Sequence, residues 1–359
     1  MSYQKSRRFL DPRSVYYTPI ICLCGFLLLG LAKASNSDAV LGTRGHSEIR
    51  APRKDRADQG AFSMVVFGDS LGASTFAGTS IGQQLRGQDV WRLLRAMSLQ
   101  YFVPVDDDRY LSRVKNIVAY EDFNAFSGSQ EWSHRSRLDR LIPGGVRHHN
   151  YAIPGARTDG LEQQIDRFSR DFEYSPFAPA YIAISIGGND FCDSFSLEAA
   201  LNKLYTSIRR LREVLPQSLV LISGIPDVVG IFRSYDRVAF KFANREMTCK
   251  QRVQLFPMCA RENDLILGDD NVTAQAKQDL LRYQRGFEEL AQRIEKSFPD
   301  EGPVRYAPLP DLWDEDELLA ADCFHPGVAG HHSIADATWQ AVNEVFQLEK
   351  KPEDPALDR

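Results

Sequence analysis

Three short segments of the sequence carry residue types that can together hydrolyse an ester. Ser70 lies in the tetrapeptide 68–71 (G-D-S-L), Asn189 follows a pair of glycines, and Asp322 precedes His325 by three residues. A serine hydroxyl becomes a nucleophile when a base takes its proton. Neutral imidazole is available near pH 7, and a neighbouring carboxylate can orient it and stabilise its charged form. The sequence therefore predicts Ser70 as nucleophile, His325 as base and Asp322 as the orienting carboxylate.

Acyl transfer also needs hydrogen-bond donors for the oxyanion that forms when the serine attacks. The backbone N–H groups of Ser70 and Gly155 and the side-chain N–H of Asn189 each follow a predicted strand. In open α/β sheets, ligands bind beyond the carboxyl ends of the strands. We therefore expect these three donors to converge at one edge of the sheet. Asp69 and Asp190, their neighbours, are expected to hold turns by accepting backbone hydrogen bonds rather than to catalyse.

Alternating strands and helices are predicted to position these residues. The predicted strands cover 64–67, 146–153, 181–186, 218–223 and 304–308, and the predicted helices cover 81–99, 161–172, 197–215, 280–298 and 328–346. Such alternation predicts a three-layer α/β/α sandwich around a parallel, flavodoxin-like sheet of about five strands. Residues 103–140 are expected to form loops with short helices. Residues 227–272 break the alternation, and both a substrate-facing lid and a plain structural excursion fit this insertion.

The amino terminus has the composition of a targeting segment. A positive region precedes an apolar stretch over 20–31, and Ala32-Lys33-Ala34 fits a cleavage site, so we predict a signal peptide over 1–34. An uncleaved type II membrane anchor is the alternative. Residues 35–60 are predicted to be a polar linker, 61–348 the catalytic domain and 349–359 a charged tail. Both alternatives place that domain outside the cytosol, either secreted or lumenal.

Four cysteines remain after the targeting segment, an even number in an oxidising compartment. Proximity in sequence favours a Cys249–Cys259 disulfide. Cys192 and Cys323 each lie close to a proposed site residue, which favours a second disulfide between them. The cysteine spacing matches no zinc site, and neither a metal nor a cofactor is expected. Asn271 lies in the only N-x-S/T sequon of the sequence and is predicted to carry a glycan.

Length and charge limit the class of protein. A chain of 359 residues is long enough for one large α/β domain. The net charge is −5, and the sequence has no basic block of the kind that binds nucleic acid. Composition therefore favours a globular enzyme or binding protein and gives no support for a nucleic-acid partner.

The motifs resemble those of the GDSL, or SGNH, hydrolase family, which is named after its Ser, Gly, Asn and His residues. Ser70, Gly155, Asn189 and His325 match the four family blocks, in the family's order, across residues 64–332. This resemblance implies an ester hydrolase that forms an acyl-enzyme on Ser70 and needs no cofactor.

The sequences of residues 185–192 and 322–326 are similar to the corresponding motifs of the phospholipase B-like branch of that family. Members of that branch hydrolyse fatty-acyl esters of phospholipids and lysophospholipids, which implies a lipid substrate and transient contact with a membrane surface. Residues 72–74 depart from the branch and leave the substrate open. A carbohydrate or small-ester acetylesterase and a non-catalytic secreted lipid-binding protein are the alternatives. The oligomeric state is not predicted.

Overall fold

A parallel sheet with helices on both faces forms the frame of the protein. The computed structural model describes residues 62–75, 77–80, 83–84, 121–171, 180–230, 236–242, 245–255, 258–267, 270–313 and 315–346. The predicted signal peptide, linker and charged tail, and most of the predicted helix over 81–99, lie outside these residues. In the part of the chain that is described, no helix combines the length and apolar character needed to cross a bilayer.

The structure contains eight strands in its described residues, which form two sheets. They are β1 (Phe62–Gly68), β2 (Gln83–Gln84), β3 (Val146–Asn150), β4 (Ala180–Ser185), β5 (Leu219–Ser223), β6 (Val238–Phe242), β7 (Arg245–Thr248) and β8 (Val304–Ala307). The large sheet is parallel throughout and has the order β3-β1-β4-β5-β8. β1, the first strand in the chain, occupies the second position in the sheet. β3 lies on one side of it, and β4, β5 and β8 follow on the other. This is the flavodoxin-like order, which confirms the predicted fold class.

Eight α-helices are described. They are α1 (His134–Leu141), α2 (Leu161–Asp171), α3 (Gly188–Cys192), α4 (Leu197–Val214), α5 (Cys249–Leu255), α6 (Ala260–Leu267), α7 (Asp270–Ser297) and α8 (Val328–Phe346). Alternate residues of β1 face opposite cores: Val65 and Phe67 pack with α2, α4 and α7, whereas Met64 and Val66 pack with α1 and α8. Because both faces of the central strands are covered, those strands are mostly apolar, with a single serine near one end of each.

In the described residues, the observed elements differ from the predicted ones by more than two residues, or in type, at three places. β3 ends at Asn150, three residues early, because the Asn150 side chain accepts a hydrogen bond from the Ala152 N–H (3.0 Å) and turns the chain. α7 begins at Asp270 rather than 280. The sequence prediction missed its first turns because they are mostly exposed and show no apolar period. Residues 83–84, predicted as helix, form strand β2 beside β6.

The insertion over 227–272 contains a hairpin and two short helices. β6 and β7 pair antiparallel, and β2 joins them to complete the second sheet, in the order β2-β6-β7. α5 and α6 follow β7 along the chain. The bounds predicted for the insertion, 227–272, also include the first residues of α7. The predicted break in the strand–helix alternation is therefore present, and the structure shows two disulfides that attach this insertion to the rest of the fold.

Candidate active site

Ser70 occupies the tight turn at the carboxyl end of β1. The Asp69 carboxylate accepts a hydrogen bond from the Leu71 N–H (3.0 Å), and the Asp69 N–H donates to the Ser185 carbonyl (2.9 Å) at the end of β4. Gly68 has φ +139°, and a Cβ at this position would lie 1.9 Å from the Ser185 carbonyl oxygen. Only glycine permits so close an approach of the two strands. The turn is thus rigidly fixed, and Ser70 remains 7% exposed.

Asp322 and His325 form a buried hydrogen-bonded pair in the loop before α8. The distance between Asp322 Oδ2 and His325 Nδ1 is 2.5 Å. Asp322 Oδ1 accepts backbone N–H bonds from Phe324 (3.1 Å) and His325 (3.0 Å). Burial acts to raise the pKa of Asp322, but the His325 imidazole and the positive charge of Arg252 outweigh it, so the pKa lies below its usual value. An ionised carboxylate is therefore held on Nδ1 of the imidazole.

Asn189 follows β4 and lies in the first turn of α3. Gly187 precedes that helix with φ +110°, which reverses the chain after the strand. The Asn189 side-chain N–H donates to the Ala156 carbonyl at 2.9 Å. Gly155, directly before Ala156, has φ +80°, a conformation that favours glycine. The structure therefore brings Asn189 against the turn that contains Gly155.

One cleft unites the predicted residues from these separate turns. Asp69, Ser70, Gly188, Asn189 and His325 all line it. The rest of the lining is apolar and comes from Leu71, Pro226, Val228, Leu312, Phe324 and Pro326. A nucleophile, an imidazole and an amide thus share one cleft with a largely apolar wall. Gly155 is connected to this group through Ala156 and Asn189.

Asp69 and Asp190 hold turns, as the sequence predicts. Asp190 accepts hydrogen bonds from the Thr158 N–H (3.0 Å) and hydroxyl (2.6 Å), which joins α3 to the turn after β3. Burial raises the pKa of Asp190 to about 6. Burial, together with repulsion from Asp190, raises the pKa of Asp69 to about 7. The site therefore contains two carboxyl groups that take up protons more readily than exposed aspartates do.

The predicted disulfide pairing is wrong. Instead of Cys192–Cys323 and Cys249–Cys259, the structure pairs Cys192 with Cys259 and Cys249 with Cys323, with Cα–Cα distances of 5.0 and 5.6 Å. Cys249 opens α5 and Cys259 immediately precedes α6, so the helix between them directs the two cysteines to different loops. Cys192 ends the helix of Asn189, and Cys323 lies between Asp322 and His325. The insertion is therefore crosslinked to the helix of Asn189 and to the loop of His325.

A buried ion pair within the insertion was not predicted. The Arg252 guanidinium lies 3.2 Å from Glu262 Oε1, and both side chains are at most 2% exposed. Glu262 also accepts hydrogen bonds from the Met258 and Cys259 N–H groups. Nothing in the local sequence separates Arg252 from an exposed neighbour such as Lys250, so no pattern could have identified it.

Two of the described histidines outside the proposed triad have structural surroundings. His331 is buried in α8, and burial lowers its pKa to about 3. His148, on β3, lies 3.1 Å from the Arg135 guanidinium. Within the described ranges, no three or more His, Cys, Asp or Glu side chains are grouped as a metal site requires. The predicted glycosylation residue, Asn271, is exposed in the first turn of α7.

The fold is a three-layer α/β/α sandwich with a parallel sheet, and sequence comparison identifies the family. Residues 64–338 match the GDSL-like lipase/acylhydrolase family, so the chain belongs to that family. A relative is "Phospholipase B1, membrane-associated" of Rattus norvegicus, which is 25% identical over 305 residues. The match covers 78% of this chain but only 19% of that protein. The chain therefore spans about a fifth of the relative's length.

Solved structures of esterases also resemble this chain. A family two carbohydrate esterase from Clostridium thermocellum matches with a TM-score of 0.43 and 12% identity, covering 81% of this chain and 65% of that one. Axe2, an acetylxylan esterase from Geobacillus stearothermophilus, matches with a TM-score of 0.40 and 12% identity, covering 79% and 95%.

Proposed function

We propose that this protein hydrolyses acyl esters through Ser70, His325 and Asp322, and that it releases fatty acids from phospholipids or lysophospholipids. One observation carries the proposal: the imidazole held by Asp322 at 2.5 Å lines the same cleft as Ser70 and Asn189. Membership of the GDSL-like lipase/acylhydrolase family supports the same chemistry.

The first half of the reaction acylates the serine. Because Asp322 engages Nδ1, Nε2 is the nitrogen of His325 that takes the Ser70 proton. Ser70 Oγ then forms a bond to the ester carbonyl carbon, and the carbonyl oxygen becomes an oxyanion. The bond to the alcohol oxygen breaks as the imidazolium returns its proton to that oxygen. The alcohol leaves, and the acyl group stays on Ser70.

The second half regenerates the enzyme. A water molecule gives a proton to His325 and attacks the acyl carbon, and Ser70 Oγ leaves with that proton. The products are a carboxylic acid and free serine, so one ester and one water give one acid and one alcohol. Each step uses the protein's own acid–base pair and needs no cofactor.

The oxyanion is stabilised by N–H groups from three turns. An amide NH₂ carries two donors, and one N–H of Asn189 already donates to Ala156. We assign the other N–H to the oxyanion, together with the backbone N–H groups of Ser70 and Gly155. The bond to Ala156 fixes the amide plane in advance, so little reorganisation is needed when charge develops.

The cleft wall supports a fatty-acyl substrate. Its apolar residues come from four loops and include Leu71, Val228, Leu312 and Phe324. Burying a methylene in such a wall contributes about 0.8 kcal/mol, whereas a sugar ring needs polar partners. The relative named phospholipase B1 supports the lipid assignment. The competing hypothesis is a small-ester or carbohydrate acetylesterase, and the experiment below distinguishes it from a phospholipase.

A secreted or lumenal location fits the covalent structure. Disulfides persist in oxidising compartments, and the two disulfides found among the described residues attach the insertion to the loops of the proposed site. We propose that the signal peptide over 1–34 directs export, with an uncleaved type II membrane anchor as the alternative. We also propose that Asn271 carries a glycan. The domain would then meet its lipid substrate at a membrane surface.

Acyl release from a substrate panel tests the function. The panel contains phosphatidylcholine, lysophosphatidylcholine, p-nitrophenyl acetate and butyrate, and acetylated xylan, with residues 35–359 as enzyme. Ser70→Ala is the inactive control, and Ser169→Ala, at an exposed position of α2, is the matched active one. Fatty-acid release that depends on Ser70 supports the phospholipase assignment. Acetate release alone would move the protein to the acetylesterases. Lipid binding without turnover in both wild type and Ser70→Ala would identify a carrier.

A further inference from the structure

The insertion places a buried cation behind the proposed catalytic loop. Cys249 and Arg252 are three residues apart in α5, so they lie on one face of that helix. Cys249 is bonded to Cys323, the residue that separates Asp322 from His325. The covalent link therefore brings the face that carries Arg252 against the loop of the proposed triad.

Arg252 is fixed in this place from its other side. Its guanidinium is paired with Glu262 through two contacts, of 3.2 and 3.4 Å, and is fully buried. Glu262 is held in turn by the N–H groups of Met258 and Cys259, and Cys259 is bonded to Cys192. The two disulfides thus join the insertion to the proposed catalytic loops, and the ion pair joins α5 to α6 within the insertion.

A buried ion pair gains little stability, because desolvation of both charges offsets their attraction. The pair can therefore have a role besides stability. The charges suggest one: Arg252, Glu262 and Asp322 sum to −1 when the imidazole is neutral and to zero when His325 carries a proton. The buried group is thus closest to neutrality in the state that acyl transfer must pass through.

We propose that Arg252 is a positioning residue for the hydrolysis: its buried guanidinium, fixed by Glu262 and the Cys249–Cys323 disulfide, keeps Asp322 charged and aligned on His325. This inference rests on the proposed function of the triad. The depressed pKa of Asp322, to which the Arg252 charge contributes after His325, agrees with it. Among the described residues, two further titratable groups lie near His325: His331 from α8, whose pKa the His325 charge helps to lower, and Asp69, which lines the same cleft.

The proposal predicts shifts of opposite sign for the two members of the ion pair. Removing the positive charge with Arg252→Met lets the Asp322–His325 pair take up a proton at higher pH. The acid limb of the kcat/KM profile, which is the pH range where activity falls as the solution becomes more acidic, should then shift to higher pH by about one unit. We expect a lower kcat and little change in KM. Removing the negative charge with Glu262→Gln should move the same limb to lower pH. Arg252→Lys should restore the wild-type limb.

Two further variants separate charge from folding. Arg252→Met/Glu262→Met replaces the whole pair by apolar side chains, which buried pairs commonly tolerate, so this variant keeps the fold if the single substitution does not. Its acid limb should lie between those of Arg252→Met and the wild type, because the Arg252 charge acts on Asp322 more strongly than the Glu262 charge does. Lys250→Met removes the same charge from the exposed face of α5 and should leave the limb unchanged.

The measurement is the pH dependence of p-nitrophenyl butyrate hydrolysis, together with an NMR titration of the His325 ring in the Ser70→Ala background. Parallel titration curves in wild type, Arg252→Met/Glu262→Met and Glu262→Gln, all folded by circular dichroism, would overturn the proposal. The NMR titration needs no turnover. Absence of hydrolysis in the wild type would therefore count against the proposed function, while the curves would still decide the role of Arg252.

Discussion

Asp322 Oδ2 and His325 Nδ1 are separated by 2.5 Å, and neither side chain is more than 3% exposed. The two residues are joined by a short reverse turn, in which Cys323 has φ +57° and Phe324 donates its N–H to the same carboxylate. The carboxylate is therefore satisfied by backbone donors on one oxygen and by the imidazole on the other. This geometry fixes which ring nitrogen is available for the chemistry.

Replacing Asp322 by Asn should lower kcat by about 10³- to 10⁴-fold, because an amide can favour the wrong imidazole tautomer. Initial rates with p-nitrophenyl butyrate at pH 7.5 measure the effect. The exposed Asp300→Asn is the control for loss of one carboxylate. A loss of less than tenfold in a folded Asp322→Asn protein would contradict the assignment of Asp322 to the triad.

Asn189→Ala should lower kcat by about 10²-fold or more and leave KM nearly unchanged, since the oxyanion forms only after the substrate has bound. The substitution also removes the bond to Ala156, so the free energy of unfolding should fall by about 1 kcal/mol. Steady-state kinetics and urea unfolding measure the two effects separately. An unchanged kcat would remove Asn189 from the oxyanion hole.

Much of the fold could be predicted because the local pattern and the tertiary structure agree. β1 and β4 are buried on both faces, so each contains a continuous apolar run, over 64–67 and 180–184, with a glycine close behind it. α2 and α4 present one apolar stripe and were predicted to within one residue. Because parallel strands end at one edge, Ser70 and Asn189 could be expected in one cleft.

The attachment of the insertion could not be predicted, because it depends on contacts between distant segments. Cys249 and Cys259 are close in sequence, yet α5 separates them and each bonds to a partner at least 67 residues away. Arg252 and Glu262 are charged residues in a polar stretch, where solvent exposure is the usual expectation. Only the folded chain shows that they are buried together.

The disulfide pairing predicts which peptides are linked. Proteolysis without reduction, followed by mass spectrometry, should recover Cys192 with Cys259 and Cys249 with Cys323. Recovery of Cys192 with Cys323 would contradict the structure. Each of these disulfides closes a loop of 67 or 74 residues. In the chain-entropy description, closing a loop of this length adds about 4 kcal/mol to the free energy of unfolding.

Removing the Cys249–Cys323 disulfide should affect activity more than removing the other one. The double variant Cys249→Ser/Cys323→Ser frees the turn between Asp322 and His325, so kcat should fall even where the protein remains folded. Cys192→Ser/Cys259→Ser is the matched control, since it removes a disulfide from the same insertion. Kinetics below the unfolding temperature of both variants measure the difference. An equal loss of kcat in both would indicate a general loss of stability rather than a specific effect on the turn.

Asp69 should make the protein less stable as the pH rises from about 4 to about 7. Its carboxyl is 3% exposed, and burial, with repulsion from Asp190, raises its pKa to about 7. An aspartate in the unfolded chain titrates near pH 4, so between these values the folded protein holds a proton that the unfolded chain has released. Folding is then favoured at the acid end of this window, and the contribution is lost as the pH rises through the folded pKa.

Asp69→Asn isolates this effect from the buried histidines, whose lowered pKa values act in the opposite direction. The Asn oxygen can still accept the Leu71 N–H but carries no charge at any pH. Relative to wild type, the variant should therefore gain stability between about pH 4 and about pH 7, and the difference should level off above pH 7. Urea unfolding at each pH measures the difference, with exposed Asp171→Asn as the charge control. A difference between Asp69→Asn and wild type that stays constant over this range would show that Asp69 is ionised in the folded protein throughout.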